Sequence, residues 1–267
     1  MVSNFDMDSN KPPLVLLHGI AMSGSAWREV VPLVSGHHQV YVPTADGHRG
    51  GLAVQRRPAT MTDMVDAAQR YLDECGLDQP HLAGNSIGGF VAIELARRAR
   101  AATVCAFSPV GFWTAGDGYQ KRAFGRLQRG VAIGRLSRPV LPFVYRFATL
   151  RRLILRDIAY RGDRMSAARV LELNDDGIKC TVLADLCADL CAPDWLIARL
   201  DPLPCPITIA WGQKETLLPS GAQGKNERIP QASIKSLPDV GHVPMLDDPE
   251  LVARTILTST GALPHNE

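Results

Sequence analysis

Six consecutive residues, Gly84-Asn85-Ser86-Ile87-Gly88-Gly89, join a strand-like run from Pro80 to Ala83 directly to a helix-like run from Phe90 to Ala99. A turn that sharp forces strained backbone angles on the serine at its apex. It also leaves no room for a Cβ two positions to either side, where Gly84 and Gly88 stand. Gly89 is expected to let the new helix lie close to the sheet. Strand, tight turn and helix together begin a parallel α/β unit. In that setting Ser86 points its hydroxyl into a cleft, just ahead of a helix N-terminus whose free N–H groups favour negative charge. Ser86 therefore reads as a nucleophile.

The same rhythm extends in both directions. Pro13 to Leu17 is a short apolar run ending at His18-Gly19, as suits a strand buried on both faces. Ser25 to Val34 has helical spacing, His38 to Pro43 reads as a second strand, and Thr60 to Gly76 as an amphipathic helix with a glycine stop. A strand precedes Ser86, a fourth runs from Thr103 to Phe107, and two more follow at Pro206 to Gly212 and Ala232 to Leu237, with a last helix from Pro249 to Leu257. The expected fold class is α/β, a doubly wound, mostly parallel sheet whose site lies beyond the carboxyl ends of the strands. Alternation stops near Gly111. Residues 112–200 read as helices broken at Gly116, Gly118, Gly130, Gly134, Pro139, Pro142, Gly162, Gly177 and Pro193. The expected organisation is a core of residues 1–111 and 201–267 with a helical cap, residues 112–200, inserted between its halves.

A chain of 267 residues, 46% apolar and 21% charged, can bury one large core without disulfides. The first ten residues hold no basic patch followed by an apolar stretch, and no run approaches the ~18 apolar residues of a membrane span, so a cytoplasmic location is expected. Six cysteines form neither CxxC pairs nor a metal-ligand pattern with histidine, so they are expected to be reduced, and no metal is expected. Nor is an organic cofactor. The net charge of +2 conceals an asymmetry: from Trp113 to Val170 there are thirteen Lys or Arg against three Asp.

A serine hydroxyl needs a base within hydrogen-bond reach and an acid to orient that base. His242 lies in a loop after the last strand, between Gly241 and Pro244, a setting that holds an imidazole partly exposed. His18 also follows a strand, but it precedes a glycine and suits a structural turn. The loop after the preceding strand, Trp211 to Pro219, contains one carboxylate, Glu215. An oxyanion needs two backbone donors, and the N–H groups of Ile87 and Ile20 are the candidates. The turn Asp46 to Gly51 reads as structural.

These residues together resemble the α/β-hydrolase superfamily. The motifs that carry the likeness are LLHG at 16 to 19, GNSIGG at 84 to 89, WGxxE at 211 to 215 and GHVPMLDDPE at 241 to 250. The resemblance implies acyl transfer: attack by Ser86, a covalent acyl-enzyme, and hydrolysis by water activated by His242. It also implies a small or medium carboxylic ester as the small-molecule substrate. The family usually carries Asp where this chain has Glu215, and Asp239 and Asp247 stand as alternative acids close in sequence to His242. Asn85 with the double glycine is similar to carbon-carbon bond hydrolases of ring-fission products, an alternative substrate class. A non-catalytic ligand-binding protein on the same fold is the other alternative. In the cap, Val140 to Tyr160 interleaves apolar residues with arginines. A basic lid meeting a lipid surface or an anionic acyl carrier would fit this pattern, but the favoured reading is a cap helix packed on the sheet with its arginines in solvent. No nucleic-acid motif accompanies the charge. The oligomeric state is left open.

Overall fold

The computed structural model describes residues 11–113, 118–192, 195–218 and 226–264. Gly116, Pro193 and Pro219 lie outside them. Six strands, β1 (Pro13–Leu17), β2 (Gln39–Tyr41), β3 (His81–Asn85), β4 (Thr103–Phe107), β5 (Ile207–Gly212) and β6 (Ser233–Leu237), form one sheet in the order β2-β1-β3-β4-β5-β6. All five strand pairings are parallel, where a mostly parallel sheet was expected. The chain runs outward from β1 to β2 and then returns to place β3 on the other side of β1. That reversal puts His18-Gly19 and Ser86, at the carboxyl ends of β1 and β3, on either side of the crevice where doubly wound sheets bind ligands.

Alternation along each strand divides the core into two apolar layers. In β1, Val15 and Leu17 face the layer that also holds Leu82 and Val104, while Leu14 and Leu16 face the layer holding Ala83, Cys105 and Phe107. The first layer is covered by α2 (Met61–Glu74) and α3 (Ile87–Arg97), and the second by α1 (Val31–Val34) and α9 (Pro249–Ser259). Helix α2 starts at a capping box in which Thr60 accepts from the Asp63 N–H and Asp63 accepts from the Thr60 N–H. It ends before Gly76, whose φ of 67° continues no helix. The helix expected over Ser25 to Val34 is instead a 3₁₀ turn, Gly24–Trp27, capped by Ser23, followed by the short α1. Pro32 explains the split, because it is tolerated only in the first turn of a helix. The helix after Ser86 begins at Ile87, three residues earlier than its apolar run.

Between β4 and β5 the described residues form α4 (Tyr119–Leu136), α5 (Leu141–Val144), α6 (Ala148–Leu155), α7 (Ala167–Ile178) and α8 (Leu183–Leu190). Gly130, Gly134 and Gly177, expected as breaks, lie inside helices. Two of them serve close approach: a Cβ on Gly134 would strike Asn174 Oδ1 on α7, and one on Gly177 would lie 3.2 Å from Val131 on α4. Helix α8 packs into the layer of α2 and α3, with Asp189 accepting from the Met61 N–H at 2.8 Å and Asp185 from the Ala59 N–H at 3.1 Å. The turn at residues 46–51 is held from that side, since Gly47 C=O accepts from the Thr181 N–H and hydroxyl.

Candidate active site

Ser86 has φ 57° and ψ −116°, a conformation that L residues rarely hold. The sheet and helix over-determine it: its N–H donates to Phe107 C=O at 2.9 Å, and its own C=O accepts from the Phe90 N–H at 3.1 Å. A Cβ on Gly84 would strike the backbone of Gly88, and one on Gly88 would strike the carbonyls of Leu17 and His18. The helix therefore lies against the end of β1 through Gly88, while Gly89 rests more loosely near Gly84 C=O and Pro109.

His242 follows β6 on a loop whose path is fixed from two sides. Asn85 Nδ2 donates to His242 C=O at 2.8 Å, and Asp247 accepts from the N–H groups of Gly241, Tyr160 and Arg161 at 2.6 to 3.0 Å. The ring is buried, and its Nδ1 lies 2.7 Å from Glu215 Oε2. Glu215 Oε1 accepts from the Leu217 and Leu218 N–H groups at 2.8 and 3.1 Å. Burial alone would raise the Glu215 pKa, but the charge of His242, the hydrogen bond with it and the two backbone N–H groups outweigh that and hold it below the ordinary carboxylate range. The extra methylene of a glutamate thus still allows contact with the ring. Of the two alternative carboxylates, Asp247 is occupied by three backbone N–H groups and Asp239 is exposed beside Lys214.

The turn after β1 supplies the remaining pieces. His18 is buried, accepts from the Ala45 N–H at Nε2 (3.0 Å) and, in the tautomer this requires, donates from Nδ1 to Gly19 C=O at 2.8 Å. Burial first and neighbouring His48 second push its pKa down to about 3, so the ring is neutral. Fixing Gly19 C=O in a trans peptide turns the Ile20 N–H the opposite way. Among the described residues neither the Ile20 nor the Ile87 N–H donates to another group. A cavity of about 500 Å³ is bounded by Gly19, Ile20, Ser86 and His242 below and by α4 to α7 above. Its lining is largely aliphatic, and the single Lys or Arg among the described lining residues, Arg126, is engaged with the Thr216 and Leu217 carbonyls and with Asp157.

A family model described as the alpha/beta hydrolase family matches residues 14–255. The chain belongs to the alpha/beta hydrolase family. It is 28% identical over 246 residues to a pimeloyl-[acyl-carrier protein] methyl ester esterase of Aromatoleum aromaticum, covering 90% of this chain and 95% of that one. It is also 26% identical over 197 residues to an epoxide hydrolase of Mycobacterium tuberculosis, covering 72% and 91%. The enol-lactonase of Burkholderia xenovorans superposes with a TM-score of 0.72 at 17% identity, covering 97% of this chain and 94% of that one.

In this hydrolase, sequence reasoning overlooked two residues at the site. Asn85 drew attention only as a substrate-class marker, yet its amide ties the end of β3 to the backbone of His242. The sequence offers Asp247 only as an alternative acid, whereas its carboxylate fixes the loop ahead of His242. An Asp five residues after a loop histidine and next to a helix-starting Asp248-Pro249 was the available signal.

Proposed function

We propose that this chain is a serine hydrolase cleaving a small or medium carboxylic ester through an acyl-enzyme on Ser86. The observation that carries the reading is the 2.7 Å contact of His242 Nδ1 with an ionised Glu215, on a ring that lines the same cavity as Ser86. In this scheme Glu215 holds the tautomer with the proton on Nδ1, leaving Nε2 to take the Ser86 proton as Oγ attacks the ester carbonyl. The Ile20 and Ile87 N–H groups stabilise the oxyanion. The alcohol leaves with the proton held by His242, and water then repeats the cycle, releasing the acid and restoring the serine. No step requires a metal or an organic cofactor.

Ester cleavage suits a serine better than epoxide opening. A serine oxygen that opened an epoxide would be left in an ether, which water activated by His242 does not cleave. A ring-fission dienoate would bring a carboxylate into the cavity, where the one cation among the described lining residues is already paired, so carbon-carbon cleavage is the weaker reading. A non-catalytic binding protein would have no need of the ionised Glu215 pair on His242. A fluorophosphonate probe tests the proposal: stoichiometric labelling is expected, lost in Ser86→Ala. Absence of labelling in the folded wild type would overturn it.

A further inference from the structure

From Gly118 to Arg156 the chain contains no Asp or Glu and ten Lys or Arg. In a water-facing cap the arginines would be balanced by carboxylates and the bulky apolar residues turned inward. Neither holds. Leu136 is 84% exposed, Phe143 63% and Leu153 57%, with Phe147 and Leu150 exposed beside them. The Phe143 and Phe147 rings meet edge to face at 5.5 Å in open solvent. Among the described residues Arg129, Arg146 and Arg156 are exposed and make no ion pair. Single exposed apolar residues are ordinary, but so many on three successive helices are not.

Ile133, Val140 and Ile154 are both exposed and part of the cavity lining, so the cavity over Ser86 opens between the end of α4, α5 and α6, in the midst of these residues. We propose that this face of the cap docks on an anionic lipid bilayer, with the phenylalanines and leucines entering the acyl boundary, the arginines meeting lipid phosphates, and the cavity mouth opening onto the membrane. Charge selects the partner. A symmetric pairing with a second copy would bring two basic faces together, whereas an anionic bilayer answers both the arginines and the hydrocarbon-seeking side chains around them. None of the described helices is long and apolar enough to cross a membrane, so the contact is peripheral. Delivery of a bilayer-resident acyl ester to Ser86 rests on the proposed ester hydrolysis. Docking itself does not.

Flotation with vesicles tests this, using phosphatidylcholine alone and phosphatidylcholine with roughly one third phosphatidylglycerol. Wild type and Ser86→Ala are expected to float with the anionic vesicles and not with the neutral ones. Phe143→Ser with Phe147→Ser should lower the partition about tenfold or more, and Arg146→Glu about fivefold or more, while turnover of p-nitrophenyl butyrate stays unchanged. Failure to float with anionic vesicles, or patch variants that float as wild type does, would overturn the proposal. So would capture of the face by an acidic acyl carrier protein without vesicle binding, or a dimer abolished by Phe143→Ser. Flotation without ester turnover would reject the hydrolytic reading and leave docking standing.

Discussion

Glu215 is a buried carboxylate whose ionised form is held by one imidazole and two backbone N–H groups, and the pH dependence this implies has a definite sign. Its folded pKa lies below its unfolded value, so its contribution to stability is complete above the ordinary carboxylate pKa and disappears as pH falls through the folded value. Replacing it with glutamine keeps the shape and removes the charge that faces His242 Nδ1, which in the proposed mechanism selects the tautomer. Glu215→Gln is expected to lower kcat of ester turnover by about 10³-fold to 10⁴-fold. Its unfolding free energy should fall below wild type at neutral pH, with the gap closing below about pH 4. Urea titrations at several pH values read the second effect and steady-state kinetics the first. His18 carries the opposite chemistry with a related outcome. A base depressed to about 3 by burial binds no proton in the folded state, so stability is complete above its unfolded pKa of 6.5 and falls as acid is added. The unfolding free energy should therefore start to fall below about pH 6.5, and the His18 ring resonances should not titrate between about pH 5 and 8 in the folded protein.

At the level of elements, glycine has two opposite meanings that one letter cannot separate. Gly76 and Gly134 look alike in sequence, yet the first ends a helix through a positive φ and the second sits within α4, where the Asn174 side chain of α7 fills the space a Cβ would take. Gly130, four residues before Gly134, has nothing within 4 Å of a would-be Cβ. The two positions therefore answer alanine differently. Gly130→Ala should stabilise by about 0.5 to 1 kcal/mol, because it removes only the entropy cost of a helical glycine. Gly134→Ala should stabilise less than Gly130→Ala, or cost up to about 1 kcal/mol, because the Asn174 side chain must turn its amide aside. Thermal unfolding of the pair decides it, and equal shifts would show that the α4 and α7 contact is not tight. The strands were legible for the converse reason: β1, β3, β4 and β5 are buried on both faces, and continuous apolar runs have no other stable home in a chain this polar. Helix starts were less so. The apolar run after Ser86 begins at Phe90, but the helix needs Ile87 to Gly89 for its first turn, and glycines there look like loop.

Across the whole molecule, the order of Ser86, Glu215 and His242 along the chain could be read because each follows a strand of a parallel sheet, and the fold dictates which strand ends are neighbours. What joins the inserted helices to that sheet could not be read, since the partners lie far apart in sequence. Asp176 on α7 is 1% exposed and accepts from the Ser23 hydroxyl at 2.8 Å and from Arg49 at 2.9 Å. Ser23 caps the turn that follows Ala21 and Met22, which line the cavity, and Arg49 belongs to the turn at residues 46–51. One carboxylate thus fastens the helices above the cavity to both loops beside it. Asp176→Ala would remove the acceptor shared by Arg49 and the Ser23 and Ser25 hydroxyls; Ser23 could still donate to Ser25 Oγ at 2.9 Å, and Arg49, more than a third exposed, would recover much of its hydration. The expected cost is about 2 to 3 kcal/mol of unfolding free energy. Arg49→Ala, which leaves the Ser23 bond in place, should cost less than that. Because the clamp sets the loop that carries Ile20, kcat should fall in Asp176→Ala even where the protein remains folded. A variant that unfolds at the wild-type urea midpoint with unchanged kcat would show that the inserted helices are held by their apolar contacts alone.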